Sequence, residues 1–197
     1  MAQKKKRAKK TAQKKAPSKK AVRKKVAGRK PAKKAAKKPT SKKPAPIPKG
    51  THTLTPYMSV RDAGMAIKFY SKAFGAKERF RLTGKDGRIG HAELRIGDSI
   101  FMLLDEFPEM GAMGAQAMGG SPIKLQVAVK DTDAFMAKAV AAGATVVRPA
   151  HDQFYGYRAG MIIDPFGYSW GISSRIEVVS PKEMQKRWKK IESGEQS

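Results

Sequence analysis

The sequence predicts an α+β fold: two βαβββ modules in tandem, preceded by a basic N-terminal tail and followed by a C-terminal helix. Three observations predict it. Tyr57-Met58-Ser59-Val60-Arg61-Asp62 and Leu125-Gln126-Val127-Ala128-Val129-Lys130-Asp131 are two versions of one segment, offset by 69 residues. Each enters an Ala-rich stretch closed by Gly-Ala, at Gly75-Ala76 and Gly143-Ala144, and each is followed by strand-like sequence. Charge also divides the chain sharply. Of 42 Lys+Arg and 16 Asp+Glu, residues 1–50 hold 22 bases and no acid, which leaves 20 bases and 16 acids for residues 51–197.

Residues 1–50 read as a disordered, Lys-rich tail and linker. They offer almost no apolar surface to bury, they repel themselves, and Pro17, Pro31, Pro39, Pro44, Pro46 and Pro48 interrupt any long helix. The physical use of such a segment is neutralising a polyanion, with salt-dependent and sequence-blind affinity for DNA or RNA. Its candidate contacts are Lys4, Lys5, Lys6, Arg7, Lys24, Lys25, Lys33, Lys34, Lys37 and Lys38. The competing reading is a solubilising leader or an import signal. No aromatic residue interrupts the run, so base stacking is not indicated.

Residues 51–176 form the expected domain, large enough to bury roughly two thirds of its unfolded surface. His52 to Val60 reads as the first strand. Asp62 caps a helix whose apolar stripe is Ala66, Ile67, Tyr70, Ala73 and Phe74, stopped by Gly75. Strands follow at 77–82, 88–96 and 99–104, with turns at Lys85-Asp86-Gly87 and Gly97-Asp98. These complete a first module, about 52–105. Asp105 to Ser121 is Gly- and Met-rich without a clear period, either a mobile linker or a Met flap over a cleft. The second module, about 122–174, repeats the order: a strand at 123–129, a helix at 132–142, and strands at 145–147, 160–163 and 168–173. Asp164-Pro165-Phe166-Gly167 turns between the last two. Residues 177–197 hold a C-terminal basic helix, opened by the capping box Ser180-Pro181-Lys182-Glu183. It either docks through Met184 and Trp188 or makes a second polyanion contact.

The chain has no cysteine, which excludes disulfides, thiolate metal sites and a Cys nucleophile. No run approaches the roughly 18 apolar residues of a membrane span and no secretory signal is visible, so a cytoplasmic location is expected, extended to the nucleoid if the tail binds DNA.

Leu54-Thr55-Pro56-Tyr57 leading to Val60-Arg61-Asp62, then Phe69-Tyr70, Phe74-Gly75-Ala76, and Asp164-Pro165-Phe166-Gly167-Tyr168 with Trp170 follow a recognisable order. In that order and spacing, residues 52–176 resemble the glyoxalase, bleomycin-resistance and extradiol-dioxygenase (vicinal oxygen chelate) superfamily. Asp152-Gln153-Phe154-Tyr155-Gly156-Tyr157-Arg158 is similar to the matching stretch of small bacterial glyoxalase-like members. The tail resembles the Lys/Ala/Pro tails of linker histones in composition.

The domain resemblance implies curved half-barrels around a small-molecule cavity, and a homodimer. It also implies metal-ligand places on the first and last strands of each module, which fall on Thr55 and Met102, and on Lys124 and Gly171. None of these suits a catalytic divalent ion: Thr is a weak donor, Met favours soft metals, Lys is a cation and Gly has no side chain. No cofactor is therefore predicted. Lys124 either holds an anionic or carbonyl-bearing ligand or simply reaches solvent. Tyr57, Gln126, Tyr155, Arg158 and Trp170 complete the cavity candidates, although a tryptophan such as Trp170 is more often core than ligand platform. His91 and Glu93 share one strand face and offer a relocated metal site, with a third ligand from His151, Asp152 or Asp105.

The expected function is a metal-free, glyoxalase-like small-molecule-binding protein tethered to nucleic acid. The alternatives are a lyase or isomerase with a relocated metal, and an architectural nucleic-acid-binding protein whose domain dimerises.

Overall fold

The computed structural model describes residues 44–48 and 50–194. The tail contacts expected from Lys4 to Lys38, and the expected disorder there, lie outside the described residues.

The first module runs β1 (Tyr57–Val60), α1 (Ala63–Phe74), β2 (Lys77–Thr83), β3 (Ile89–Ile96) and β4 (Ser99–Asp105). The second runs β5 (Lys124–Ala128), α2 (Thr132–Ala141), β6 (Thr145–Gln153), β7 (Tyr157–Ile163) and β8 (Ser169–Arg175), and α3 (Pro181–Glu192) closes the described chain. The two sheets have the same order, β1-β4-β3-β2 and β5-β8-β7-β6, each with its first strand parallel to its last and the rest antiparallel. This is the βαβββ repeat expected from the sequence.

Local chemistry sets the helix ends. Asp62 accepts from the Met65 amide at 2.8 Å, and Asp131 from that of Ala134 at 3.0 Å, satisfying backbone donors left over at each N-terminus. Gly75 closes α1 with φ of 66°, a conformation that costs a side chain-bearing residue strain.

β7 begins at Tyr157 rather than 160 and β8 runs on to Arg175, and two larger differences have a local cause. β1 begins at Tyr57, not His52: Pro56 has no N–H for the ladder, although its carbonyl accepts the Met102 amide at 2.8 Å. β6 extends to Gln153 despite Pro149, because it is an edge strand with register shifts on both sides of Arg148, where a missing donor costs little.

The helices cover one face of each sheet and meet one another, so both modules share a core. Tyr70 on α1 packs its ring 5.2 Å from Phe101 of β4 and 5.6 Å from Trp170 of β8. Phe74 lies 4.7 Å from Trp170 and 5.1 Å from Phe135 of α2. Leu94, Leu103, Ile162 and Ile172 are fully buried from the sheet side, each contributing about 1.5–3 kcal/mol. Among the described residues the opposite sheet faces carry no helix, and β2 is exposed along its whole length.

The Asp105 to Ser121 connection is tied down. Gln116 donates to the Pro165 carbonyl at 2.8 Å, the Gly114 amide to Glu106 at 2.8 Å, and Ala115 is buried. Met110 and Met118 point to solvent and cover no cleft. α3 docks through Trp188, stacked 5.4 Å from Phe154 in the β6–β7 turn. Its capping box is half made: Ser180 accepts from the Glu183 amide at 3.2 Å, but the Glu183 carboxylate turns to Arg187 instead. No helix among the described residues is long and apolar enough to cross a membrane.

Candidate functional site

The sheet register adds a second pair of positions beside those read from the repeat. Tyr57, not Thr55, stands beside Met102, and Gln126, not Lys124, stands beside Gly171. Thr55 precedes β1, and Lys124 is an exposed residue at the start of β5. The step is two residues in both halves, so the register pairs keep the 69-residue offset.

On the open face of the first sheet, Tyr57, Met102, Glu93 and Phe80 make one row across β1, β4, β3 and β2. His91 joins them from the neighbouring position. Its Nδ1 lies 3.2 Å from the Tyr57 hydroxyl, and its ring packs 5.5 Å from that of Phe80. Glu93 accepts from Arg79 at 2.5 Å and lies 3.8 Å from His91 Nε2. His91 and Glu93 do share a face, as their spacing predicts, but Glu93 is already paired with Arg79. The third ligands considered from sequence are committed elsewhere. Asp105 accepts the Ala63 and Ile89 amides, both at 2.6 Å, in a buried position. Asp152 pairs with Arg158 at 2.9 Å, and His151 lies beside Gln153 on the other sheet. Among the described residues no three His, Asp or Glu side chains gather.

In the second module the equivalent place is filled. Gln126 folds its side chain over Gly171 and donates to the Ser173 hydroxyl at 2.9 Å. A Cβ at position 171 would overlap the Gln126 Oε1. Neither strand pair therefore presents the carboxylate and imidazole donors that a divalent ion requires.

A cleft of about 650 Å³ opens between the modules instead. Its walls are the edge of β5, the β3–β4 turn and the residues His52, Leu54 and Pro56, with Phe74, Phe135 and Trp170 behind. Of the residues singled out from sequence, only Gln126 and Trp170 reach it. Tyr155 lies in the β6–β7 turn against Phe154 and Tyr157. Arg158 forks to Asp133 and Asp152, joining the start of α2 to the sheet rather than lining the cleft. Those pairs hold the Asp133 carboxyl below its ordinary value and raise Arg158 further.

Sequence reading missed the residue under the cleft. Asp164 accepts from the Tyr70 hydroxyl at 2.6 Å, Trp170 Nε1 at 2.8 Å, and the Phe166 and Tyr168 amides at 2.9 Å. Burial pushes its carboxyl above the ordinary value while the four donors pull it back. Burial and the adjacent carboxylate together drive the Tyr70 hydroxyl well up. The available signal was the Asp-Pro-Phe-Gly turn, since aspartate at such a corner accepts backbone amides two and four residues on.

Comparison with known proteins agrees with this architecture. A family model described as the glyoxalase/bleomycin resistance protein/dioxygenase superfamily matches residues 51–172, and the chain belongs to that family. An uncharacterized protein of Mycobacterium bovis is 42% identical over 135 residues, 67% of this chain and 89% of that one. Among solved structures, the product of At5g48480 from Arabidopsis thaliana is 27% identical with a TM-score of 0.51, covering 62% of this chain and 98% of that one. TioX from a Micromonospora species shares the fold at 24% identity and a TM-score of 0.51, over 62% and 97% of the two chains.

Proposed function

We propose that this protein binds a small, largely apolar or aromatic molecule in the cleft between its modules, without a divalent metal at the strand positions. The observation that carries the reading is the cleft itself. Its volume of about 650 Å³ lies within the roughly 300–1,000 Å³ of small-molecule sites, and aromatic Phe74, Phe135 and Trp170 back it. Lys130 at its wall offers a cation to a polar end of the ligand. The donor chemistry at Tyr57, Met102, Gln126 and Gly171 supports the metal-free part.

Trp170 is a built-in reporter, because the chain has only two tryptophans. In a Trp188→Phe variant, titration with 8-anilinonaphthalene-1-sulfonate is expected to change Trp170 emission saturably, and Val127→Glu to weaken binding by at least about tenfold. An unchanged affinity in the Val127 variant sinks the cleft as the site. Elemental analysis of the same preparations is expected to find well under about one ion per chain. A stoichiometric Zn²⁺, Ni²⁺ or Fe²⁺ lost in His91→Ala/Glu93→Ala favours the lyase or isomerase alternative.

Two further parts complete the proposal. The acid-free run of 22 bases supports tethering to DNA or RNA. The exposed Phe80 and Leu82 on the open face of the first sheet support a homodimer in which a second copy covers them.

A further inference from the structure

α3 lies beyond residue 172, where the matched family region ends, and the basic tail lies before residue 51, where it begins. Within residues 51–172, 14 Lys+Arg face 12 Asp+Glu, and residues 173–197 hold 6 and 4, so nearly all the excess charge lies in residues 1–50 and what α3 adds is the arrangement of its lysines.

α3 separates its residues by face. At about 100° per residue, Lys182, Lys186, Lys189 and Lys190 fall in an arc of about 100°, and Met184, Arg187, Trp188 and Ile191 fall opposite. Within the second group, Trp188 and Arg187 hold the helix to the domain. Trp188 stacks on Phe154, and Arg187 donates to the Phe154 carbonyl at 3.0 Å, to Glu177 at 2.8 Å and to Glu183 at 3.1 Å. These bonds engage the carboxylates of Glu177 and Glu183. The four lysines are exposed, and among the described residues none forms an ion pair. They are thus presented at fixed spacing along about 12 Å of helix. One strand of a duplex carries a phosphate about every 3.4 Å of axis, so this length matches three or so consecutive phosphates.

The geometry points to a second phosphate-binding surface: the lysine face of α3 contacts the backbone of double-stranded nucleic acid, separately from the tail. This extends the nucleic-acid part of the proposed function. A membrane surface fits less well, because an interfacial helix inserts a broad apolar face, whereas that of α3 is only Met184, Trp188 and Ile191, is shared with the charged Arg187, and leaves Trp188 and Ile191 just 43% and 45% exposed.

The test uses the full chain and a mixed-sequence duplex of about 30 base pairs, with binding measured by fluorescence anisotropy between 50 and 200 mM salt. Three proteins are compared: wild type, Lys182→Gln/Lys186→Gln/Lys189→Gln/Lys190→Gln, and a tail variant with Lys4, Lys5, Lys6, Lys33, Lys34, Lys37 and Lys38 all changed to Gln. In the α3 variant the slope of log K against log salt is expected to become shallower by about two to three. Affinity should drop on the order of ten- to a hundredfold, with circular dichroism and Trp188 emission unchanged. A slope and affinity equal to wild type overturn the proposal. So does α3-dependent binding to phosphatidylserine vesicles with duplex binding unaffected. Full affinity in the tail variant alongside loss in the α3 variant rejects the tail reading and upholds this one; no duplex binding by wild type rejects both.

Discussion

Asp164 shows how much can rest on one side chain. It ties Tyr70 of the first module to Trp170 and the turn of the second, and it satisfies two buried side-chain donors and two amides at once. Asp164→Ala leaves the Tyr70 hydroxyl and Trp170 indole without an acceptor. At about 1–3 kcal/mol for each unmet buried donor, a loss of at least about 3 kcal/mol is expected in urea unfolding, with Asp164→Asn milder. The pH dependence has a definite sign. With its folded value raised above the unfolded one, Asp164 contributes stability that is complete below the unfolded value and lost as pH rises through the folded value. The margin of wild type over Asp164→Asn should therefore widen as pH is lowered through that window. A margin that narrows contradicts the raised carboxyl.

Among the elements, those bounded by local chemistry were legible. Asp62, Asp131 and Ser180 each cap the helix whose start they mark, because capping needs only three residues of sequence. The repeat revealed both modules, since the 69-residue offset survives in the sheet pairing. What escaped was set by partners distant in sequence. The first paired residue of β1 depends on where β4 meets it, and the extent of β6 depends on its place at a sheet edge. The same holds at the site: counting along the strand gave Thr55 and Lys124, but which residues stand beside Met102 and Gly171, namely Tyr57 and Gln126, is set by the neighbouring strand. β2 carries the element-scale prediction. Phe80 and Leu82 are 44% and 61% exposed on the open sheet face, more apolar surface than an isolated hairpin needs. Light scattering of wild type should give twice the 21.6 kDa chain mass, and Phe80→Glu/Leu82→Glu should give the single mass. A wild-type monomer would refute the dimer.

Across the whole molecule, charge is partitioned by segment. The matched domain is near balance, while residues 1–50 hold 22 bases without an acid. If that tail tethers the protein, duplex affinity should fall by about 10³–10⁵ between 50 and 200 mM salt, as expected for roughly 6–10 neutralised phosphates. The drop should depend little on base sequence. Strong discrimination between duplexes of equal length, or binding indifferent to salt, would point to recognition by another part of the chain. Tail and cleft then have separable tasks, one fixing where the protein resides and the other what it holds there.

The glutamine folded over Gly171 has a consequence for the order in which this fold could change its chemistry. A carboxylate introduced at 171 meets the Gln126 amide before it can meet any ion. Residue 126 must shorten or swing away first, and doing so releases the Ser173 hydroxyl from its hydrogen bond. The two positions form a ratchet: the route toward a metal site passes through an intermediate that has already lost one contact and gained nothing for it.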